Sequence, residues 1–174
     1  MSSFINELFS LTPEQFEEAV ENLLRRVGMS LPEFEIQRLE KIKAPDGVYE
    51  IDVTARFEVL GASFLVLIEC KLHRNPIKRE VVQVLYDRLR AVGAHKGMIF
   101  STAKFQRGAI EFARAHGIAL IQLVDVREPH QQRVFHCLSN QTFLDSHLRR
   151  IRIKTSPDDG NITYKYVPDG EREK

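Results

Sequence analysis

The sequence has little of what several classes of protein require. It contains two cysteines, Cys70 and Cys137, and no tryptophan among 174 residues. The cysteines show no CxxC or CxxH spacing, which argues against a disulfide framework and a structural zinc site and favours a reducing, cytoplasmic location. The longest uninterrupted apolar run, residues 64–68, is far shorter than the ~20 residues that cross a bilayer. We therefore expect a soluble protein with no membrane partner.

Neither sign of charge dominates the whole chain, because 25 Lys and Arg side chains face 24 Asp and Glu side chains. The charges are nevertheless unevenly divided. Residues 1–70 carry 6 basic and 13 acidic side chains, a net −7, whereas residues 71–174 carry 19 basic and 11 acidic ones, a net +8. We expect the second part of the chain to face a polyanion. The length fits a single domain.

The first predicted elements are a helix and an antiparallel meander. Thr12, Pro13 and Gln15 form a capping-box start signal, and the helix ends near Gly28. Alternation then predicts strands over 34–39 and 48–60, joined by a turn at 44–47. One face of the second strand carries a row of apolar side chains: Tyr49, Ile51, Val53, Ala55 and Phe57. Gly61 and Ala62 reverse the chain into an apolar, central strand at 63–71.

From residue 63 to residue 124 the pattern alternates strand, helix, strand, helix and strand. Pro76 opens a helix whose apolar stripe begins at Ile77 and is closed by Gly93, and a second helix at about 105–116 precedes the strand at 118–124. This order predicts parallel strands with right-handed crossovers, and hence a mixed sheet with helices on its faces. Residues 133–138, 147–154 and 161–167 predict further strands or an added hairpin.

A small charged cluster interrupts the apolar strand at 63–71. In a hairpin centred near Gly61, facing residues have numbers that sum to about 122 or 123, which places Asp52 opposite Cys70 or Lys71. Glu69 and Lys71 share one face of the strand, and Cys70 points to the other. Charges at such a position cost several kcal/mol unless they are paired or bound to a metal. Two carboxylates suit Mg²⁺, and the alternative is an ordinary salt bridge with Asp52 as a bystander.

The order of these residues resembles the Mrr-like restriction endonucleases of the PD-(D/E)xK nuclease superfamily. The shared features are Phe16-Glu17 in a first helix, Ile51-Asp52-Val53 and Ile68-Glu69-Cys70-Lys71 in neighbouring strands, Val82-Gln83 in the next helix, and the strand, helix and strand that follow over 98–121. The resemblance covers residues 11–124. It implies an α/β fold, a restriction-endonuclease-like three-layer α/β/α sandwich with a central mixed β-sheet and a short C-terminal strand or hairpin extension. We expect a nuclease core over 1–125, an extension packed on it over 126–167, and a flexible tail over 168–174.

The resemblance also implies roles for individual residues. Asp52 and Glu69 are the expected Mg²⁺ ligands, with the Cys70 backbone carbonyl as a third, and Lys71 is the expected catalytic lysine. Glu17 is expected to reach toward the metal site, and Gln83 to support it. The alternatives are an exposed helix position for Glu17 and a surface or capping role for Gln83.

One acidic residue departs from the family pattern. Glu50 lies on the Asp52 face of its strand. It is either a second metal-site carboxylate or a solvated strand residue, and we favour the solvated residue.

Basic residues in two segments are candidates for contact with DNA phosphates. The first set follows the Glu69 strand, and the second alternates with apolar residues near the C-terminus: His73, Arg74, Lys78 and Arg79, then Arg149, Arg150 and Arg152. The alternative for both sets is a solvated surface. The six histidines show no HxH or HExxH grouping, so zinc chemistry is disfavoured.

Together the charged cluster and the resemblance predict an endodeoxyribonuclease of the restriction or defence type that uses Mg²⁺, with Mn²⁺ as a substitute, and no organic cofactor. We expect DNA as its partner, a cytoplasmic location and a homodimer, because cutting a duplex requires two cleavage events. Two alternatives stay open. One is a structure-specific nuclease that acts on junctions or in repair, and the other is a DNA-binding module on the same fold that does not cleave.

Overall fold

The computed structural model describes residues 11–127, 133–139, 151–155 and 162–166, with side-chain surroundings described over residues 11–123. Its helices and strands follow in chain order: α1 (Pro13–Gly28), β1 (Glu35–Ala44), β2 (Gly47–Val59), β3 (Ala62–Lys71), α2 (Arg79–Val92), β4 (Lys96–Ser101), α3 (Arg107–Ala115), β5 (Ala119–Arg127), β6 (Arg133–Ser139), β7 (Ile151–Thr155) and β8 (Ile162–Tyr166).

Strands β1 to β6 form one sheet in their sequence order. The first three strands are an antiparallel meander, β3, β4 and β5 are parallel to one another, and β6 returns antiparallel to β5. Helices α2 and α3 make the connections between the parallel strands, because parallel neighbours need a crossover of about this length. The predicted mixed sheet is confirmed, with β3 and β4 near its middle.

Helices cover both faces of this sheet. Helix α1 packs on one face through four buried side chains: Phe16, Val20, Leu23 and Leu24. Helices α2 and α3 pack on the other face, mainly through Val82, Leu85, Leu89, Ala109 and Ala113. At Gly97 of β4, an added Cβ would lie 2.7 Å from Leu89 Cδ1, so the glycine permits the close approach of α2. The three layers are those of the predicted α/β/α sandwich.

The capping box predicted from the sequence is present at the start of α1. The backbone N–H of Gln15 donates to Thr12 Oγ1 at 3.2 Å, and the backbone N–H of Thr12 donates to Gln15 Oε1 at 2.8 Å. The two bonds satisfy donors that have no partner inside the helix. Local hydrogen bonds between Thr12 and Gln15 therefore determine where α1 begins.

The β2–β3 hairpin has a different register from the predicted one. Val59 faces Ala62, and facing residue numbers sum to 121 along the ladder, which ends at Val53 and Ile68. The turn is Leu60-Gly61, and both residues have left-handed φ angles, 54° and 75°. A two-residue hairpin loop of this kind needs positive φ at both positions. The predicted turn at Gly61-Ala62 was wrong by one residue because leucine rarely adopts that conformation.

The faces of β2 also depart from the predicted alternation. Tyr49 and Ile51 pack on the side of α2 and α3, whereas Val53, Ala55 and Phe57 pack on the side of α1. A regular strand would keep all of these residues on one face, so the change of face lies at residue 52. At the corresponding position in β1, Leu39 has a left-handed φ of 53° and leaves a gap in the β1–β2 pairing.

Helix α2 begins later than its predicted start. Ile77 is not in the helix, because it forms an isolated parallel bridge with Phe105. Its N–H donates to the Lys104 carbonyl at 2.8 Å, and its own carbonyl accepts from the Gln106 N–H at 2.9 Å. Ile77 is nevertheless fully buried, which is why it completes the apolar stripe that the sequence shows.

The C-terminal strands fall into two groups. Strand β6 extends the main sheet, while β7 and β8 pair antiparallel as a separate two-stranded sheet. The division into a core over 1–125 and an extension over 126–167 stays a prediction. Within the described residues, no helix has the length and apolar character needed to cross a membrane.

Candidate active site

Glu69 is a buried carboxylate held between two cations at the carboxyl end of β3. It is 7% exposed. Lys71 Nζ lies 2.5 Å from Glu69 Oε1, and Arg88 Nη1 lies 2.8 Å from Glu69 Oε2. Lys71 comes from the same face of the same strand, as predicted, while Arg88 reaches the carboxylate from α2. Each oxygen of Glu69 therefore has its own charged donor.

Asp52 lies beside this group, at the point where the β2–β3 ladder ends. Its Oδ2 accepts a hydrogen bond of 2.7 Å from the backbone N–H of Cys70. The carboxylate thus takes the place of a strand carbonyl as the acceptor for β3. Burial raises the pKa of Asp52, as does the nearby charge of Glu69, while the Cys70 N–H, Lys71 and Arg88 oppose that rise. Asp52 and Glu69 repel each other in a site that the cations only partly neutralise.

Glu17 approaches the same site from α1, which packs on the face of the sheet opposite to α2 and Arg88. Its side chain is partly buried, and its pKa is raised first by that burial and then by the charge of Asp52. Arg38 lowers the pKa of Glu17 in turn, and Arg38 Nη1 also donates to the Glu14 carbonyl at 3.0 Å. The structure therefore places Glu17 within electrostatic reach of Asp52.

Cys70 contacts the site through its backbone. Its thiol is buried in the core on the α1 side, and burial raises the pKa of that thiol well above its usual value. The thiol therefore stays protonated and serves as a packing group. The backbone N–H is the group that binds Asp52.

Gln83 and Arg88 both project from α2 with partly buried side chains. Within the described residues, no hydrogen bond joins the Gln83 side chain to Asp52 or Glu69, whereas Arg88 binds Glu69 directly. Sequence analysis did not identify Arg88. The available signal was its spacing, since Arg88 lies three residues after buried Leu85 and next to buried Leu89, on the flank of the inward stripe.

Two loops at the carboxyl ends of β3 and β4 are fastened to each other. Thr102 Oγ1 accepts from the His73 N–H at 3.0 Å and donates to the His73 carbonyl at 2.9 Å. The Thr102 N–H donates to the Lys71 carbonyl at 3.2 Å, and the Ile77–Phe105 bridge closes the far end of the pair. Sequence analysis did not identify Thr102, whose bonds fix the backbone directly after Lys71.

Exposed basic side chains line these paired loops. We call the set the basic rim; it consists of four residues predicted as DNA contacts and one that was not predicted: His73, Arg74, Lys78, Arg79 and Lys104. The Arg79 guanidinium lies 5.0 Å from the centroid of the Phe112 ring, which gives this side chain a support on α3. The rim and the carboxylates are both at the end of the sheet where β3 and β4 finish.

The remaining predicted residues fall outside this arrangement. Glu50 is 56% exposed at its side chain and pairs with Lys41 at 3.5 Å, which agrees with a solvated strand residue. Arg149 and Arg150 lie outside the described residues. Arg152 belongs to β7, but its side chain also lies outside them.

The donor set determines which kind of metal the site can take. Within the described residues, no three His, Cys, Asp or Glu side chains are close enough together to hold a metal ion. Asp52 and Glu69 supply two carboxylates. Mg²⁺ is commonly held by one or two carboxylates, with water and substrate phosphate completing its shell. The residues present fit a hard cation of this kind and not a metal enclosed by protein ligands.

A family model for restriction endonucleases, built on the Mrr catalytic domain, matches residues 8–128. This chain belongs to the Mrr restriction endonuclease family. The resemblance seen in the sequence is therefore confirmed, and so is the restriction-endonuclease-like fold. The match includes Glu17, Asp52, Glu69, Lys71 and Gln83. No curated protein matches the chain.

Several solved structures are similar to this Mrr-family chain. A crystal structure of AF1548, a protein of unknown function, is 28% identical with a TM-score of 0.52, and the match covers 63% of this chain and 57% of that one. The modification-dependent restriction endonuclease AspBHI is 19% identical (TM-score 0.44; 67% of this chain and 30% of that one). MspJI in complex with a 27-mer oligonucleotide is 16% identical (TM-score 0.45; 67% and 27%). The chain therefore spans less than two thirds of the length of each of these proteins.

Proposed function

We propose that this chain is a Mg²⁺-dependent endonuclease that hydrolyses DNA phosphodiester bonds in a restriction or defence role. The observation that carries the proposal is a pair of neighbouring carboxylates, partly buried Asp52 and buried Glu69, with the Lys71 ammonium at 2.5 Å from Glu69. A cluster this costly to bury has no structural necessity at the end of a strand. Membership of a nuclease family supports the same chemistry.

Asp52 and Glu69 would hold the ion, with the Cys70 backbone carbonyl as a third ligand and Mn²⁺ as a substitute. When bound, the ion supplies polarisation of a phosphoryl oxygen and a lowered pKa for a coordinated water. The pKa of Asp52 is raised in the protein that has no metal ion bound. Two repelling carboxylates beside each other are a physical reason for the site to attract a cation.

Lys71 is the proposed catalytic lysine. Its ammonium is held by Glu69 at the edge of the buried group, with 25% of its side chain exposed. From there it can orient the attacking water and offset the negative charge that develops on the phosphate. The water oxygen forms the new bond to phosphorus, the bond from phosphorus to the leaving sugar oxygen breaks, and that oxygen takes up a proton. The reaction needs no covalent enzyme intermediate.

Glu17 and Gln83 are proposed as supporting residues on opposite faces of the sheet. Glu17 adds a third negative charge near Asp52, which suits a contact to the ion through water. Gln83 lies on α2, the helix that also carries Arg88, and we assign it the role of supporting the site from that side. Neither residue is required for the central proposal.

The basic rim is the proposed contact surface for DNA. Its side chains are exposed and lie at the same end of the sheet as Lys71, so they can neutralise phosphates that flank the cleaved bond. Arg149, Arg150 and Arg152 are proposed to extend this contact. A homodimer would place two sites on the two strands of a duplex. A cytoplasmic location completes the proposal.

Cleavage of supercoiled and branched DNA by the purified protein, with Mg²⁺ or Mn²⁺, tests this function. We expect the wild type to nick supercoiled DNA and the Lys71→Ala and Asp52→Ala variants to lose this activity. Cleavage confined to branched DNA would instead assign the structure-specific nuclease. Salt-sensitive binding without cleavage of any substrate, unchanged in both variants, would assign the binding module.

A further inference from the structure

Arg88 contacts the site but has no role in the proposed reaction. Its Nη1 donates to Glu69 Oε2 at 2.8 Å, while Lys71 occupies Oε1. The Glu69 side chain is 9% exposed and that of Arg88 is 28% exposed. Arg88 comes from α2 and not from the strands that carry the other groups. It is therefore an independent cation that the fold brings to a carboxylate already paired with Lys71.

The charges of the site explain why a second cation is present. Asp52 lies within electrostatic reach of two further carboxylates, Glu69 and Glu17, and in the absence of a metal Lys71 and Arg88 offset part of this negative charge. A buried carboxylate without enough positive charge nearby is strongly destabilising. Arg88 supplies part of the charge that a divalent cation would otherwise bring.

The same contact works against the binding of an ion. A divalent cation on Glu69 would stand a few ångströms from the guanidinium, and like charges at that distance repel strongly in a partly buried site. An arginine guanidinium cannot relieve the repulsion by losing its proton. The Arg88 side chain must therefore move away from Glu69 Oε2 when an ion binds, and its partial exposure allows this movement.

We propose that Arg88 is an internal counterion of Glu69 that competes with the divalent cation. In the metal-free protein it holds Glu69 Oε2, and the ion displaces it when it binds. Arg88 therefore weakens the affinity of the site for metal while stabilising the protein that lacks metal. This inference rests on the proposed metal-binding function of Asp52 and Glu69.

Calorimetric titration with Mn²⁺ in the absence of DNA tests the competition. We expect Arg88→Gln to lower the Kd for Mn²⁺ by about fivefold or more, since removal of a nearby like charge favours the cation. Arg88→Lys keeps the charge and should bind within about twofold of the wild type. Arg90→Gln is the matched control, because it removes the same charge from an exposed arginine of the same helix that lies over Tyr86; its Kd should not change.

Thermal unfolding without metal provides a readout that does not depend on the Kd, and the rise in Tm on adding Mn²⁺ provides a second measure of binding. We expect Arg88→Gln to have a lower Tm than the wild type without metal, and a larger rise in Tm when Mn²⁺ is added. If Arg88→Gln folds only with Mn²⁺, that result also supports the proposal, because the ion then replaces the lost counterion.

Two failures can be told apart. A wild type and an Arg88→Gln variant that both bind no Mn²⁺ or Mg²⁺ would contradict the metal site, and this inference with it. A wild type that binds Mn²⁺, together with an Arg88→Gln variant that binds it equally well or more weakly, would overturn the competition and leave the proposed nuclease intact. A Kd for Arg88→Lys lowered as much as that for Arg88→Gln would also overturn it.

Discussion

Two charged clusters lie on adjacent strand pairs of the same sheet, and they balance their charges differently. Across β1 and β2, Glu40 receives both terminal nitrogens of Arg56, each at 2.7 Å, and the hydroxyl of fully buried Thr54 at 2.5 Å. Across β2 and β3, Asp52 receives one backbone N–H and lies beside a second carboxylate, Glu69. The first cluster pairs one anion with one cation, whereas in the second two carboxylates lie beside each other and both cations, Lys71 and Arg88, bind Glu69.

The carboxyl pKa values respond in opposite directions. The hydrogen bonds from Arg56 lower the pKa of Glu40, with a further contribution from Thr54. Burial and the charge of Glu69 raise the pKa of Asp52. Paired, hydrogen-bonded carboxylates of the Glu40 kind stabilise a fold. The comparison teaches that the nature of the neighbours, and not burial alone, separates a structural ion pair from a site suited to chemistry.

Removal of one carboxylate from each cluster should give the largest difference in activity. We expect Asp52→Asn to lower the rate of DNA nicking by about 100-fold or more, the scale on which loss of one electrostatic group affects an active site. Glu40→Gln should nick at close to the wild-type rate, because Glu40 contacts Thr54 and Arg56 and not the site. Initial rates on supercoiled DNA measure both. Equal losses in the two variants would remove the distinction between the clusters.

The free energy of unfolding should show the reverse order. Glu40→Gln should lose about 1–2 kcal/mol, because Arg56 and Thr54 lose a charged acceptor in a partly solvated position. Asp52→Asn keeps an oxygen that can accept from the Cys70 N–H. It also removes a carboxylate whose pKa is raised on folding. Its stability without metal should equal or exceed that of the wild type. Urea unfolding at neutral pH measures this, and a larger loss for Asp52→Asn would contradict the account.

The pH dependence of stability offers a sharper test of the Glu40 cluster. The folded pKa of Glu40 lies below its unfolded value of about 4.3. Its contribution is therefore fully present above that value and is lost as the pH falls through the folded pKa. We expect the difference in stability between wild type and Glu40→Gln to shrink between pH 5 and pH 3. The prediction fails if the difference is constant over this range.

A smaller effect should distinguish the basic rim from other surface charge. Lys78→Ala should weaken DNA binding uniformly across sequences and reduce the slope of log K against log salt by about 1. Arg114→Ala removes one exposed charge from the last turn of α3, at the opposite end of the sheet. It should leave the slope unchanged. Fluorescence anisotropy over a range of salt concentrations compares the two, and equal slopes would show that the rim has no special contact.

Much of the fold could be predicted because its signals are local. The capping box at Thr12 and the shared face of Glu69 and Lys71 follow from short-range geometry, and both are present. The turn before Gly47 and the alternation of strands and helices are likewise as predicted. In each case the residue types and the spacing determine the structure without help from distant parts of the chain.

The features that the sequence did not reveal depend on tertiary contacts. The turn at Leu60-Gly61 uses a left-handed leucine, and β2 changes faces at Asp52, opposite the left-handed Leu39. Leucine rarely adopts a left-handed backbone, so local preference pointed to regular strands at both Leu39 and Leu60. Arg88 joins the site from nineteen positions beyond Glu69, and only the packing of α2 on the sheet brings them together. Asp52 itself was identified from the sequence, whereas the irregular backbone around it and the contact from Arg88 were not.

The most direct test of the central claim is to measure DNA binding and single-turnover nicking for the wild type and Lys71→Gln under the same conditions. The account predicts that Lys71→Gln binds supercoiled DNA with a Kd close to that of the wild type. Its nicking rate should fall by at least about 100-fold, because the lysine acts on the reacting phosphate. Nicking by Lys71→Gln at the wild-type rate would contradict the assignment of the Asp52, Glu69 and Lys71 group as the catalytic site.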